Sequence, residues 1–265
     1  MIPESPRWLI VHGEGAKASS VLQKIYLSPD EASRQKSITE DSIKDEVKTE
    51  WKALLSSGIL KAVLIGSAIA ILGQFMGVNA VLYYGPEIFK EAGLSSGDAL
   101  FSQVLVGFVN MGTTVIALLI IDKVGRKNLV YWGVSGMILS LLMIGFYFIF
   151  PEQLGSIFML VFFLFYVFCC AISICAVVFV LLSEMYPNNV RGIAMSIAGL
   201  ALWIGTYLIG QLTPWLLANV PPFAPAGTFF LFALMCVPYL LIMWKLVPET
   251  TGKTLEEIES YWKER

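Results

Sequence analysis

The sequence predicts an all-α membrane protein with six transmembrane helices, preceded by short cytoplasmic amphipathic helices. Two observations predict this class. Hydrophobic residues make up 57% of the chain against 14% charged residues, and six long apolar stretches follow one another after residue 57. A soluble surface needs far more charge than this, so a soluble enzyme is excluded and no enzymatic activity is expected.

Residues 1–57 differ in composition from the rest, and we interpret them as cytoplasmic linker helices. The segment is rich in Lys, Glu, Asp and Ser. Its apolar residues recur at helical spacing, which predicts two or three short amphipathic helices, one of them beginning at residues 28–31 (SPDE). The first ten residues lack a basic lead and a long apolar core, so no cleavable signal peptide is expected. Apolar positions at helical spacing include Ala18, Val21, Leu22 and Ile25, and later Ile38, Ile43, Val47, Trp51 and Leu54.

Residues 58–247 are predicted to form the transmembrane domain, and residues 248–265 a cytoplasmic tail. Each apolar stretch is long enough to cross a hydrocarbon core of about 30 Å, which takes about 20 helical residues. Unpaired backbone groups are costly in lipid, so the stretches are predicted to be helices, and their length and lack of alternation exclude β-barrel strands. The stretches cover residues 60–84, 99–121, 129–150, 155–182, 193–218 and 227–247.

The distribution of basic residues predicts the orientation. All but one of the 18 Lys and Arg residues lie on one side of the predicted spans, the exception being Lys90. The positive-inside rule therefore places both termini in the cytoplasm of a multi-pass protein of the inner (plasma) membrane.

Neutral polar residues lie inside the predicted spans, whereas Asp, Glu, Lys and Arg are absent from the span centres. Gln74, Asn79 and Tyr83 follow or flank Gly73 and Gly77, a pattern typical of an unwound helix segment that exposes backbone to a substrate. Amides and phenols bind several hydroxyls, and an indole packs on the C–H face of a sugar, so a neutral carbohydrate site is expected. The four cysteines and the single histidine show no metal-ligand spacing, so neither a metal nor a cofactor is expected.

Two further spans carry polar stripes at helical spacing. Asn110 belongs to the stripe of the second span, and Trp203 to that of the fifth. Such residues also serve as hydrogen-bonding contacts between helices, and for Gln103, Thr114 and Ser196 this alternative stays open. The two stripes consist of Gln103, Asn110 and Thr114, and of Ser196, Trp203, Tyr207 and Gln211.

Charged residues lie just past helix ends on the cytoplasmic side. Opposite charges there could join helices in one conformation and release them in another. Alternatively, they could only set the orientation of the chain in the membrane. These residues are Asp122, Arg126, Lys127, Glu184, Arg191 and Glu249.

Five motifs occur in an order that resembles the sugar porter family of the major facilitator superfamily, and most closely its bacterial D-xylose–proton symporter branch. They are PESPRWLI, QFMGVNAVLYYGPEIF, DKVGRK, SEMYPNNVRG and PETTGKTLEE. The resemblance implies the cytoplasmic linker and the C-terminal half of a twelve-helix fold, built as a 3+3 inverted repeat. It also implies a partner half of six N-terminal helices that this chain lacks, including the acid that symporters protonate.

The resemblance also implies roles for individual residues. By their places in the motifs, Gln74, Asn79, Tyr83, Asn110 and Trp203 match sugar-binding positions. Asp122, Arg126, Glu184 and Arg191 match the inner-gate charges, and Glu249 lies beside them in PETTG. If the six helices are isolated, a concave surface bearing Gln74, Asn79, Asn110 and Trp203 is expected to be open to lipid or solvent.

Three positions depart from the family pattern. Gly73 stands where a second Gln is usual, and Leu202 where the xylose transporters have a Gln before the Trp. The GPxxW motif of the tenth helix reads CAVVF at residues 175–179, and without the Gly-Pro pair this helix is expected to be straighter. The departures leave the identity of the sugar open.

The function expected is transport of a monosaccharide by alternating access, with the proton as a possible coupling ion and no nucleic-acid partner. The alternative is a non-transporting half that acts as a membrane interaction or sensor subunit.

Overall fold

The computed structural model divides the chain into two units, residues 1–53 and residues 54–265. The residues that the structure describes are 4–26, 28–44, 54–187, 190–220, 225–253, 257–258 and 261–262.

In the first unit, the described residues form three helices, α1 (Pro6–Val11), α2 (Gly15–Ile25) and α3 (Pro29–Lys44). The Ser5 hydroxyl caps α1 by accepting a hydrogen bond from the backbone N–H of Trp8. The predicted helix start at residues 28–31 is confirmed, because α3 begins at Pro29. The expected helical positions Val47 and Trp51 lie outside the described residues.

The second unit contains the six predicted spans, and their existence is confirmed. The spans begin and end up to seven residues from the predicted bounds, because helical structure continues into the polar flanks. The helices are α4 (Ser57–Phe75), α5 (Val78–Glu91), α6 (Ser96–Val124), α7 (Arg126–Ile149), α8 (Ser156–Cys170), a π-helical turn (Ala171–Cys175), α9 (Ala176–Met185), α10 (Arg191–Asn219) and α11 (Ala226–Lys245).

The first span is broken between α4 and α5, as the glycines predicted. Gly77 has a φ of +89°, a left-handed conformation that a residue with a side chain rarely adopts. A Cβ atom at this position would also collide with the ring of Phe232. The Tyr166 hydroxyl, which is buried, donates a 2.8 Å hydrogen bond to the Met76 carbonyl at the break. The break is therefore a packed and hydrogen-bonded feature.

The fourth span is also irregular, although it lacks the Gly-Pro pair. Without a Gly-Pro pair, the chain still forms a π-helical turn at Ala171–Cys175. The Ser173 hydroxyl donates to the Cys169 carbonyl at 2.6 Å, and Gly133 of α7 lies so close that a Cβ there would meet the Ser173 side chain. A π-helical turn is one of the usual causes of a helix kink, so the lack of proline alone does not predict a straight helix.

Helix packing places the core and the open faces of the second unit. Helix α4 packs mainly against α10, and α7 packs against α8 and α11. The spans of α6 and α10 are the least enclosed, since only 22% and 28% of their most apolar windows are buried. These two helices, which carry Asn110 and Trp203, therefore present most of their surface to whatever surrounds the unit.

Candidate functional site

Three polar side chains meet at the break in the first span. Asn79 Nδ2 donates to Gln74 Oε1 at 2.7 Å, and also approaches Thr206 Oγ1 at 3.4 Å. The Thr206 hydroxyl lies 3.1 Å from the same Gln74 oxygen and 3.0 Å from the Leu202 carbonyl. We call Gln74, Asn79 and Thr206 the amide cluster. The cluster joins both halves of the broken helix to α10.

The amide cluster keeps free hydrogen-bonding capacity. Among the described residues, no partner is found for Gln74 Nε2 or for Asn79 Oδ1, while Gln74 Oε1 is fully used. The cluster can therefore offer one amide donor group and one carbonyl acceptor to a ligand. A sugar hydroxyl is both a donor and an acceptor, and this pair of groups is complementary to it.

Thr206 is the one member of the cluster that sequence reasoning missed. It is buried in α10 and lies three residues after Trp203, so the two residues share one helical face. The signal available in the sequence was this spacing. A Thr in an apolar helix is common enough that the spacing alone does not mark it as part of a site.

The candidate site residues differ in exposure. Tyr83 and Trp203 are 58% and 66% exposed, and Asn79 and Asn110 are half-buried. Gln74 is only 9% exposed, which corrects the expectation that it would be open to lipid or solvent. Its side chain lies beneath Asn79 and Thr206, because α4 packs tightly on α10.

Asn110 lies beside the second half of the broken helix. It borders a small recess together with Val78, Val81 and Leu82 of α5. The backbone carbonyl of Asn110 accepts a 2.7 Å hydrogen bond from Thr114, and its side chain has no such bond among the described residues. The structure thus places Asn110 against α5, where Val78, the residue before Asn79 in the chain, lines the same recess.

Other polar residues of the spans hold helices together. Gln103 Nε2 donates to the Leu82 carbonyl at 2.9 Å, joining α6 to α5. The Tyr84 hydroxyl donates to the Gly210 carbonyl at 2.8 Å, joining α5 to α10. Ser196 donates within its own helix, to the Gly192 carbonyl, and has no other partner in the described part of the chain. For Gln103 the interhelical contact is therefore the observed role.

A charge cluster lies at the end of the bundle where α6, α7, α9 and the segment after α11 meet. Arg126 Nη2 donates to Glu184 Oε1 at 2.8 Å and to Asp122 Oδ1 at 2.9 Å. The second oxygen of Glu184 accepts a short hydrogen bond from the Thr250 hydroxyl. Arg126 and Glu184 are largely enclosed, with side-chain exposures of 11% and 23%, whereas Asp122 is 78% exposed.

The PETTG segment completes this cluster. The Thr251 hydroxyl donates to Glu249 Oε1 at 2.8 Å and accepts from the backbone N–H of Arg126 at 3.2 Å. Lys127 Nζ donates to the Val247 carbonyl at 2.8 Å. Thr250 and Thr251 were missed from the sequence, although they lie inside a motif that it singled out.

Arg191 does not join the charge cluster in the described structure. Its Nε and Nη2 atoms lie 3.3 and 3.2 Å from the Tyr186 carbonyl. This side chain therefore bonds to the C-terminal end of α9 rather than pairing with a carboxylate of the described residues.

The comparisons with known proteins agree with this fold. A family model described as "Sugar (and other) transporter" matches residues 1–262. The chain belongs to the sugar porter family of the major facilitator superfamily. It is therefore a multi-pass membrane protein of a transporter family.

Several sugar porters resemble the chain over nearly its full length. It is 38% identical over 268 residues to a "D-xylose-proton symporter" of Escherichia coli K12 and 37% identical over 262 residues to an "Arabinose-proton symporter" of Bacillus subtilis. These matches cover 99% of this chain but only 53% and 55% of the relatives. The chain thus spans about half the length of the curated relatives it matches.

Solved structures give the same result. The proton:xylose symporter XylE bound to 6-bromo-6-deoxy-D-glucose matches with a TM-score of 0.79 at 38% identity, over 98% of this chain and 55% of that chain. An inward-open XylE structure from E. coli matches with a TM-score of 0.74 at 34% identity, over 98% of this chain and 52% of that one. These sugar porters support the predicted fold, and they lend no support to a non-transporting subunit.

Proposed function

We propose that this chain supplies the C-terminal six-helix half of a sugar transporter, which moves a monosaccharide across the membrane by alternating access. The amide cluster at the break of the first span is the observation that carries this proposal. It combines uncharged donors and acceptors with a helix interruption held by Gly77, Tyr166 and Phe232. Transporter helices break in this way where a substrate binds.

The substrate class follows from the chemistry of the proposed site. Gln74, Asn79 and Asn110 are neutral amides, Tyr83 adds an exposed phenol, and Trp203 offers an exposed indole. Amides and phenols bind hydroxyl groups, and the indole face packs against the C–H groups of a sugar ring. A neutral pentose or hexose fits this set better than an ion does. The relatives named for xylose and arabinose support the same substrate class.

A second six-helix bundle would complete the transport pathway. The open faces of α6 and α10 carry Asn110 and Trp203, so a bundle that covers these faces would enclose a sugar between two halves. Alternating access then follows if the halves rock about the bound sugar. Such a bundle is the partner that we propose, together with the surrounding bilayer.

The charge cluster is proposed to be the inner gate. The bias of basic residues supports an orientation with both termini in the cytoplasm of the inner membrane. In that orientation Arg126 and Glu184 would lie at the cytoplasmic end. In the present conformation their ion pair joins α7 to α9. Separation of these helices would break the pair and open the pathway inward.

Proton coupling is proposed from the names of the relatives, which are sugar–proton symporters. The described spans carry no carboxylate near the amide cluster, so the group that takes up the proton is expected in the second bundle. Sugar accumulation that a protonophore fails to reduce would contradict coupling and favour facilitated diffusion.

Uptake into proteoliposomes tests the transport proposal. Labelled D-xylose, L-arabinose and D-glucose are offered to vesicles containing this chain alone, or this chain with the N-terminal half of a sugar porter. We expect saturable uptake of at least one sugar when both halves are present, and its loss with Asn79→Ala. Uptake of none of these sugars, together with no sugar binding in calorimetry, would contradict the proposal.

A further inference from the structure

The π-helical turn brings two cysteine side chains together. Cys170 Sγ and Cys175 Sγ lie 3.5 Å apart, with Cys170 buried and Cys175 exposed. In a regular α-helix, residues five apart point in directions about 140° apart, since each residue turns by about 100°. A π-helical turn has hydrogen bonds between residues five apart, which stacks one over the other. The approach of the thiols therefore depends on this turn.

The two other cysteines contact different groups. Cys169 Sγ packs against Gly136 of α7, so closely that a Cβ atom there would collide with it. Cys236 lies within 3.4 Å of the Phe232 carbonyl in its own helix. Among the four cysteines, only Cys170 and Cys175 are a pair in contact.

The pair lies beside the proposed sugar site. Cys170 and Cys175 border the same small recess as Asn110. The other lining residues are Val78, Val81, Leu82, Tyr166 and Val167. Of the two thiols, that of Cys175 is the one on an exposed residue. The buried Cys170 is then the group available to resolve an oxidised Cys175.

We propose that Cys170 and Cys175 form a reversible dithiol–disulfide modification site on the wall of the sugar site. The bond formed would close across the π-helical turn. Its position beside Asn110 rests on the proposed function, whereas the pairing of the two thiols does not. A disulfide at this place replaces an exposed thiol in the recess and fixes the π-helical conformation of the fourth span.

A peroxide is the oxidant that we name for this step. The Cys175 sulfur attacks one oxygen of hydrogen peroxide, which breaks the O–O bond, gives a sulfenic acid and releases the first water. The Cys170 sulfur then attacks the Cys175 sulfur, the S–O bond breaks, and the second water leaves. The two thiols lose two electrons and two protons, and the peroxide takes up both. A dithiol reductant reverses the reaction.

Peptide mass spectrometry of the peroxide-treated full chain in detergent tests the pair. We expect a peptide lighter by two hydrogens that contains Cys170 and Cys175, restored by dithiothreitol. Cys170→Ser and Cys175→Ser should each abolish it, and the matched double variant Cys169→Ser/Cys236→Ser should retain it. Free thiols at both positions, or a Cys175 sulfinic acid without any disulfide, would overturn the proposal.

Protection from alkylation tests the position of the pair. In Cys170→Ser, the rate of N-ethylmaleimide reaction at Cys175 is measured with D-xylose, D-glucose or L-glucose as the added sugar. We expect the sugar that binds in calorimetry to slow the reaction severalfold. If the disulfide forms but a bound sugar does not slow the alkylation of Cys175, the pair does not lie in the sugar site. Binding of no sugar would instead overturn the proposed function and leave the pair in place.

Discussion

The guanidinium of Arg126 donates a 2.8 Å hydrogen bond to the carboxylate of Glu184, joining the start of α7 to the end of α9. The same guanidinium contacts Asp122 of α6 at 2.9 Å. The two carboxylates differ in their surroundings, since the Glu184 side chain is 23% exposed and that of Asp122 is 78% exposed. This difference predicts unequal contributions to stability.

We expect Glu184→Gln to lower the free energy of unfolding by about 1.5–3 kcal/mol, the range for a hydrogen bond to a charged group. The change leaves Arg126 enclosed without its main counter-charge. The matched change Asp122→Asn should cost less than about 1 kcal/mol, because water screens an exposed pair. Thermal unfolding of the purified variants checks this, and equal losses in the two variants would show that enclosure does not decide the strength of the pair.

Asn79→Ala should weaken sugar binding about tenfold. The substitution removes the amide that holds Gln74 Oε1 and Thr206 in place, along with the free Asn79 carbonyl, and each lost hydrogen bond contributes about 0.5–1.5 kcal/mol. Calorimetric titration measures the affinity. Gln153→Ala removes an exposed amide between α7 and α8 and serves as the control, with no change expected. An unchanged affinity in Asn79→Ala would remove the amide cluster from the site.

Trp203→Ala should weaken sugar binding by up to about tenfold, from the loss of an aromatic contact worth about 0.5–1.5 kcal/mol. Trp203→Phe keeps an aromatic face and should retain most of the affinity. Trp215 of the same helix is similarly exposed, at 60% against 66%, which makes Trp215→Ala the matched control. Equal losses of affinity in the two alanine variants would argue against a specific role for Trp203.

Gly77→Ala should destabilise the fold by at least about 1–2 kcal/mol. A residue with a Cβ atom disfavours the left-handed conformation by about this amount, and the ring of Phe232 must also move. Gly112→Ala is the control, because it lies within α6 and a Cβ atom there meets nothing within 4 Å. The control should be neutral or slightly stabilising. Denaturation followed by circular dichroism compares the two, and a neutral Gly77→Ala would contradict the constraint.

Much of the architecture could be predicted because it depends on composition and local pattern. Hydropathy over about 20 residues identifies a helix that spans lipid, and Gly77, two residues before Asn79, indicated where the first helix breaks. The motifs also placed Arg126 and Glu184 at helix ends on the same side. These features need only the physics of one segment and its solvent.

The side-chain partners required the tertiary structure. Gln74 is covered by Thr206, which lies 132 residues further along the chain, and Arg191 turns to the Tyr186 carbonyl rather than to a carboxylate. The contact of Cys170 with Cys175 depends on a π-helical turn that no local sequence motif predicts. The sequence by itself determined that the chain lies in a membrane, how many spans it has and which polar residues lie within them. Only the tertiary structure decided which of these residues meet, because the rotation and register of each helix are set by its packing against the others.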